Sequence, residues 1–228
     1  MLNLKCIKAV IFDMDGLIAD TEYYHNLSIM QVAEEYGVKL KKSYLFKLVG
    51  FSTRDNFLLL EKDFCIKVDM ESVLPHREEV YLDIIKRSGI KAHPGFKELI
   101  ALGKKTGLKL AVGSSSDRPQ VMTVLKILTG SVGLTIGIFD EIVTGSDVKK
   151  VKPAPDIFIK TAKKLRLAPA DCLVLEDSVA GVAAAKRAGM RCIAVRTRYS
   201  KKQDLSRADQ TAGSLRGAFK LLKGIVKA

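Results

Sequence analysis

Asp13-Met14-Asp15-Gly16 places two carboxylates and a glycine directly behind the apolar run Ala9-Val10-Ile11-Phe12. Aspartates two apart on extended chain point the same way, and carboxylates so close are costly unless a cation or a shared proton relieves them. A bound divalent metal would do so. The same D-x-D-G spacing opens calcium loops, but an EF-hand needs glycine at its sixth position and Ile18 stands there. A second acidic pair, Glu176-Asp177, ends the run Cys172-Leu173-Val174-Leu175. Magnesium takes hard oxygen ligands and keeps several waters, so a few carboxylates from two strand ends plus a phosphate oxygen suffice for it.

Two further segments supply groups suited to phosphate. Gly113-Ser114-Ser115-Ser116 runs into Asp117-Arg118-Pro119-Gln120, which has the capping-box spacing of a helix start. Hydroxyls and backbone N–H groups converge there, with Ser114 the first side chain off the preceding strand. Lys152 is followed by Pro153, which restricts its backbone, and by Pro155 and Asp156, which suit a helix's first turn. An ammonium fixed in this way can neutralise charge in a transition state. Ser178 suits the cap of a helix from Val179 to Arg187, whose small residues permit close packing on a sheet.

These residues can act together only if strand ends bring them to one place. Buried apolar runs stand at Ala9–Phe12, Leu108–Val112, Cys172–Leu175 and Cys192–Val195, with a weaker one at Phe139–Val143. Continuous apolar character, without strict alternation, describes strands buried on both faces, as in a parallel sheet wrapped by helices. The expected fold is therefore α/β and Rossmann-like, in which ligands bind at the carboxyl edge of the sheet. Between the first and second runs, helical patterns recur at Ile29, Val32, Ala33 and Tyr36, at Phe57, Leu58 and Leu60, and at Val80, Tyr81, Ile84 and Ile85. Strand-to-helix connections need only ~2 to 6 residues, so this stretch reads as a separate helical cap over residues 21–92, inserted in a core of residues 1–20 and 93–228. His93-Pro94-Gly95 marks the return, and Leu215, Phe219, Leu222 and Val226 mark a closing helix.

Taken in order, the four segments resemble the four motifs of the haloacid dehalogenase superfamily. Lys152-Pro153-Ala154-Pro155-Asp156-Ile157-Phe158 with Glu176-Asp177-Ser178-x-x-Gly181 resembles its β-phosphoglucomutase-like phosphatase branch, and the resemblance covers nearly the whole chain. It implies Asp13 as the nucleophile on phosphorus and Asp15 as general acid, then base. It also implies Mg²⁺ held by Asp13, Asp177 and the backbone carbonyl of Asp15, supported by Glu176, with Lys152 and Ser114 completing the charge neutralisation. Substrate contacts would come from Gly16, Ser115 and Ser116, and from the cap through Thr21, Glu22, His25, the loop Gly50-Phe51-Ser52-Thr53-Arg54, and Arg77.

The expected activity is hydrolysis of a small phosphorylated metabolite such as a sugar phosphate. A hexose-phosphate mutase is the alternative, because Asp20-Thr21 and His25 look similar there and Arg77 falls near a cap lysine used there. In the mutases an arginine follows the cap-loop glycine by three residues. Here that place is Thr53, with Arg54 displaced by one, a turn of ~100° on a helix. A third reading, a non-enzymatic protein binding an anionic partner, draws only on the basic tail.

The 228 residues carry a formal net charge of +13, and its location matters more than its size. Residues 186–228 hold twelve Lys or Arg against Asp204 and Asp209, spread along the stretch rather than gathered in one block with interleaved aromatics, and no nucleic-acid motif accompanies them, so a solvated face is expected and no nucleic acid. No apolar run approaches the ~18 to 20 residues of a membrane span, and the amino terminus does not read as a signal peptide. Cys6, Cys65, Cys172 and Cys192 form no C-x-x-C pair, which fits a reducing cytoplasm. A monomer is expected in preference to an oligomer.

Overall fold

The structure is a computed structural model that describes residues 7–48, 52–198, 200–201 and 203–226. The chain begins with β1 (Ala9–Phe12) and then forms the helices α1 (Thr21–Glu35), α2 (Leu45–Leu48), α3 (Thr53–Phe64), α4 (Met70–Ser88) and α5 (Phe96–Thr106). Strands and helices then alternate as β2 (Lys109–Gly113), α6 (Arg118–Ser131), β3 (Glu141–Val143), α7 (Asp156–Leu165), β4 (Cys172–Glu176), α8 (Val179–Arg187) and β5 (Arg191–Val195). The chain ends in β6 (Gln210–Ala212) and α9 (Leu215–Val226).

All paired strands are parallel, in the order β3-β2-β1-β4-β5-β6. Parallel strands covered by helices on both faces need apolar side chains in both directions, and every residue of β1 and β4 is buried. The register sets Phe12 beside Val112 on one side and Leu175 on the other. The residues that follow β1, β2 and β4 therefore leave the sheet at one level. This is the α/β, Rossmann-like fold expected from the apolar runs.

On one face of the sheet, Ile11, Val174, Ile157, Phe158, Leu165 and Val182 belong to a single buried cluster. A Phe12–Phe96–Phe139 group packs elsewhere, with edge contacts from Phe12 at centroid distances of 6.1 and 6.3 Å. The chain divides into two compact units, Met1–Asp20 with Lys91–Ala228, and Thr21–Ile90. The helical unit has its own buried cluster, including Ile29, Val32, Phe57, Leu60, Val73 and Val80. Ala19 pairs with Ala92 in an antiparallel bridge where the chain leaves and re-enters the larger unit.

Three sequence expectations are corrected here. β6 was not anticipated: it is a three-residue edge strand, Gln210-Thr211-Ala212, with no apolar run to announce it. The capping box expected at Asp117 does not form, because the Asp117 side chain makes no cap bond. Ser146 Oγ accepts from the Arg118 N–H at 3.0 Å and donates to Asp117 at 3.2 Å, so a residue from a distant turn does the capping. The capping box that is present joins Thr144 and Asp147. Leu58, part of the helical pattern, lies on the exposed side of α3 at 47% exposure, while Phe57 and Leu60 face inward. Among the described residues no helix is long and apolar enough to cross a membrane.

Candidate active site

β1 delivers Asp13 at its carboxyl end, where the Asp13 N–H continues the ladder to the Leu175 carbonyl at 3.0 Å. That bond places Asp13 beside Glu176 and Asp177 at the end of β4. All three acids are buried, and one carboxylate oxygen from each lies within 4.8 Å of the others. Lys152, with a side chain only 5% exposed, reaches in just ahead of α7 to pair with Asp13 and, at 2.7 Å, with Glu176 Oε1. Its ammonium also sits 4.9 Å from the centre of the Phe158 ring.

Glu176 is held at both oxygens. While Oε1 accepts from Lys152, Oε2 accepts from the N–H groups of Asp177 and Ser178 at 2.9 and 3.0 Å and from Ser178 Oγ at 3.0 Å. Ser178 Oγ in turn accepts from the Gly181 N–H at 3.0 Å and so caps α8, as its position before the helix suggests. Gly181 has a more specific role than general sheet packing, since a Cβ there would overlap the Glu176 carboxyl group. Gly16 is constrained on the other side: it has a φ of +79°, and a Cβ would come 2.5 Å from Asp177 Oδ2.

Asp15 faces different partners. Its Oδ2 accepts from Ser114 Oγ at 3.2 Å and Ser116 Oγ at 2.8 Å, and the Ser116 N–H donates to Ser114 Oγ at 3.1 Å. Ser114 is fully buried, whereas Ser115 is exposed. The two aspartates of one motif are thus sorted, Asp13 toward the lysine and the acid pair, Asp15 toward the serine turn after β2.

The charges do not balance among protein groups alone. Burial pushes the Asp13 carboxyl up to about 8, working against the attraction of Lys152 and joined by the repulsion of Glu176 and Asp15. Burial likewise raises Asp177 well above the usual carboxylate range, with Glu176 and Asp13 adding to the effect. Burial opposes the charge on Lys152, but Asp13 and Glu176 outweigh it and hold the ammonium protonated. One ammonium facing this acid cluster leaves a negative excess that a divalent cation relieves, and an all-carboxylate donor set is the kind that Mg²⁺ takes. The residues fit such an ion.

Sequence reasoning missed Thr197, whose Oγ1 donates to Asp177 Oδ2 at 3.1 Å and whose N–H donates to Ser200 Oγ at 2.9 Å. A threonine in a polar loop carries no signal of its own. Its position, two residues past the apolar run that became β5, does place it at the same sheet edge.

The residues proposed for substrate contact in the helical unit are placed as follows. Thr21 opens α1 and is buried, and Glu22 is half-buried beside it. His25 stacks on Tyr81 with ring centroids 4.1 Å apart, and its Nδ1 meets the Arg77 guanidinium. Arg77 is 3% exposed and also donates to Glu78 at 3.1 Å. Arg54 is exposed on the first turn of α3, and Gly50 lies outside the described residues.

The sequence model of the haloacid dehalogenase-like hydrolases matches residues 10–195. The chain is 39% identical over 193 residues to the protein YhcW of Bacillus subtilis, covering 83% of each. It is 31% identical over 191 residues to a phosphorylated carbohydrates phosphatase of Thermotoga maritima, covering 82% of this chain and 84% of that one. The crystal structure of CbbY from Rhodobacter sphaeroides in complex with phosphate is similar with a TM-score of 0.81 at 26% identity, covering 92% of this chain and 95% of that one. With the match running from β1 to the end of β5 and taking in every acid at the sheet edge, the chain belongs to the haloacid dehalogenase-like hydrolases and is an enzyme of that family.

Proposed function

We propose that this enzyme is a Mg²⁺-dependent phosphatase of a small phosphorylated metabolite, with sugar phosphates the first class to test, acting through an aspartyl phosphate on Asp13. The observation that carries the reading is the sorting of the two aspartates, because covalent phosphoryl transfer needs a nucleophile and a separate acid. The phosphatase relative from Thermotoga maritima and the phosphate complex of CbbY support the substrate class.

In the first step a carboxylate oxygen of Asp13 attacks phosphorus, the bond from phosphorus to the ester oxygen breaks, and Asp15 gives its proton to the departing alkoxide. In the second, water attacks phosphorus, Asp15 takes its proton, and the bond to Asp13 breaks to release phosphate. Splitting one displacement into two lowers each barrier. Lys152 holds a permanent positive charge against the phosphoryl oxygens, while the Ser114 hydroxyl and the turn after it orient the group. Asp13, Asp177 and the backbone carbonyl of Asp15 would hold Mg²⁺ with Glu176 in support, and the ion would supply Lewis-acid neutralisation of phosphoryl charge. Glu176 also positions Lys152, and Gly16 leaves room for Asp177. The helical unit would act as the cap that selects the substrate, through Thr21, Glu22, His25, Gly50, Arg54 and Arg77.

The test is phosphate release from a panel of sugar phosphates, with Mg²⁺, with Ca²⁺ and with excess chelator. Release that needs Mg²⁺ and is suppressed by Ca²⁺, which prefers more ligands at longer distances, is expected. Full activity in chelator removes the metal from the mechanism. β-Glucose 1-phosphate with a trace of the 1,6-bisphosphate separates the mutase: glucose 6-phosphate formed faster than phosphate reverses the assignment.

A further inference from the structure

Three arginines of the basic carboxyl-terminal stretch, Arg196, Arg198 and Arg216, line one cavity of about 330 Å³ in the larger unit, and the proposed phosphatase chemistry uses none of them. The volume is at the lower end of that for small-molecule pockets, roughly 300 to 1,000 Å³. Leu17, Val195 and Leu215 lie behind its wall as buried residues, and exposed Pro94 offers apolar surface to it.

The arginines are placed by contacts of different strength. Arg196 Nη1 donates to the carbonyls of Ser200 and Gln203 at 2.9 and 2.7 Å, which fixes its guanidinium without neutralising it. Arg198 pairs with Asp20 at 3.2 Å, and Arg216 approaches Glu98 at 3.5 Å; both arginine side chains are more than half exposed. Exposed pairs of this kind are weak, so either arginine can turn to a better anion. Asp20 is the carboxylate among the described lining residues and Glu98 reaches Arg216, so three arginines meet two negative charges and leave an excess of one. The first turn of α9 also lies on this wall, and its positive helix end adds to the same potential.

We propose that this cavity is a second anion site, taking a small organic phosphate whose dianionic head meets the arginines and whose body lies against Pro94. A guanidinium fork matches phosphate oxygens in pairs, and a dianion outcompetes the weakly held Asp20 and Glu98 for two arginines at once where a monocarboxylate does not. The site is opposite in sign to the acid cluster of Asp13, Glu176 and Asp177. In chelator, therefore, it is the place where an anion binds.

The probe is phenylphosphonate, whose P–C bond offers no ester to hydrolyse, titrated calorimetrically into the full-length protein at about pH 9 in excess chelator, above the value at which Asp13 releases its proton. One equivalent should bind, at least tenfold more weakly to Arg198→Ala and to Arg216→Ala, and benzoate should bind at least tenfold more weakly than the phosphonate. Asp13→Asn removes negative charge from the acid cluster, so a probe seated there would bind it more tightly; equal affinity is expected. Thermal midpoints check that the arginine variants fold, and Arg216→Glu serves where an alanine variant does not. Absence of binding to the wild type, affinity unchanged in the arginine variants, tighter binding to Asp13→Asn, or benzoate binding equally well would each overturn the site.

Discussion

Asp13 and Asp15 are two residues apart and share one motif, yet burial, a lysine and two neighbouring acids surround the first while serine hydroxyls hold the second. Asp13→Asn keeps the volume but cannot form an acyl phosphate. Turnover should fall below about one per cent, a barrier increase of at least ~2.7 kcal/mol, with the circular dichroism spectrum unchanged. Retention of more than that rate would remove the nucleophile assignment. The same residue gives a pH signature in chelator, because the folded carboxyl keeps its proton up to about 8 whereas the unfolded one releases it near 3.8. Between those values the native state binds more protons than the unfolded state, so this group makes stability fall as pH rises. Relative to Asp13→Asn, wild-type stability in chelator should therefore decline from about pH 4 to about pH 8, measured by denaturant midpoints; a constant gap rejects the argument. At this scale the placement of the acids, Ser114 and Lys152 at one sheet edge was legible, because strand ends and a following proline restrict where a side chain can go. Thr197 was not, since its role depends on a bond to a residue twenty positions away.

The start of α8 shows how one short element fixes the site. Gly181, Ser178 and Glu176 form a chain of hydrogen bonds from the helix amide to the carboxylate that holds Lys152. Replacing a helical glycine with alanine ordinarily stabilises by ~0.8 to 1 kcal/mol. In Gly181→Ala the new Cβ would overlap the Glu176 carboxyl, and overpacking costs ~1 to 3 kcal/mol. The variant should be less stable than wild type and lose at least tenfold in turnover, read from denaturant midpoints and initial rates; a stabilised, fully active protein would contradict this contact. The loop after β5 supports Asp177 in a similar way. Thr197→Val should raise the Mg²⁺ concentration needed for half-activity by roughly 10- to 100-fold, and Thr197→Ser should restore it. Equal Mg²⁺ dependence in all three proteins removes Thr197 from the metal site. Elements with long apolar runs were legible to within a residue or so, since double burial demands them. β6 was not, because an edge strand of three residues needs neither length nor apolar character. The start of α6 was misread for a related reason: D-x-x-Q spacing does not show that Ser146 arrives from another turn to take the cap.

Across the whole chain, helical periodicity marked α1, α3 and α4 of the insertion, though not the short α2 or the outward side of Leu58, and it did not tell that His25 and Arg77, 52 residues apart, would meet on Tyr81. Periodicity assigns a face; partners across helices come from packing that no local pattern encodes. What the packing does show is that the helical unit and the larger unit each bury a cluster of their own. The chain leaves the larger unit after Asp20 and returns at Lys91, with Ala19 and Ala92 already paired as in a hairpin. Replacing Thr21–Ile90 with Asn-Gly leaves a four-residue connection between the paired alanines, a length that hairpins commonly use. Asp13, Ser114, Lys152, Glu176 and Asp177 all belong to the part retained. The shortened protein should unfold cooperatively and release phosphate from p-nitrophenyl phosphate with Mg²⁺. If the helical unit is the selector, the rates on different sugar phosphates should converge to within about tenfold, because the contacts that discriminate among them, worth ~1 to 3 kcal/mol for a methylene and more for a hydrogen-bonded hydroxyl, would be gone. Failure to fold would show that the larger unit depends on the insertion despite its separate core. A folded, active protein that still ranks sugar phosphates as the full chain does would move substrate selection out of the helical unit and onto the sheet edge itself.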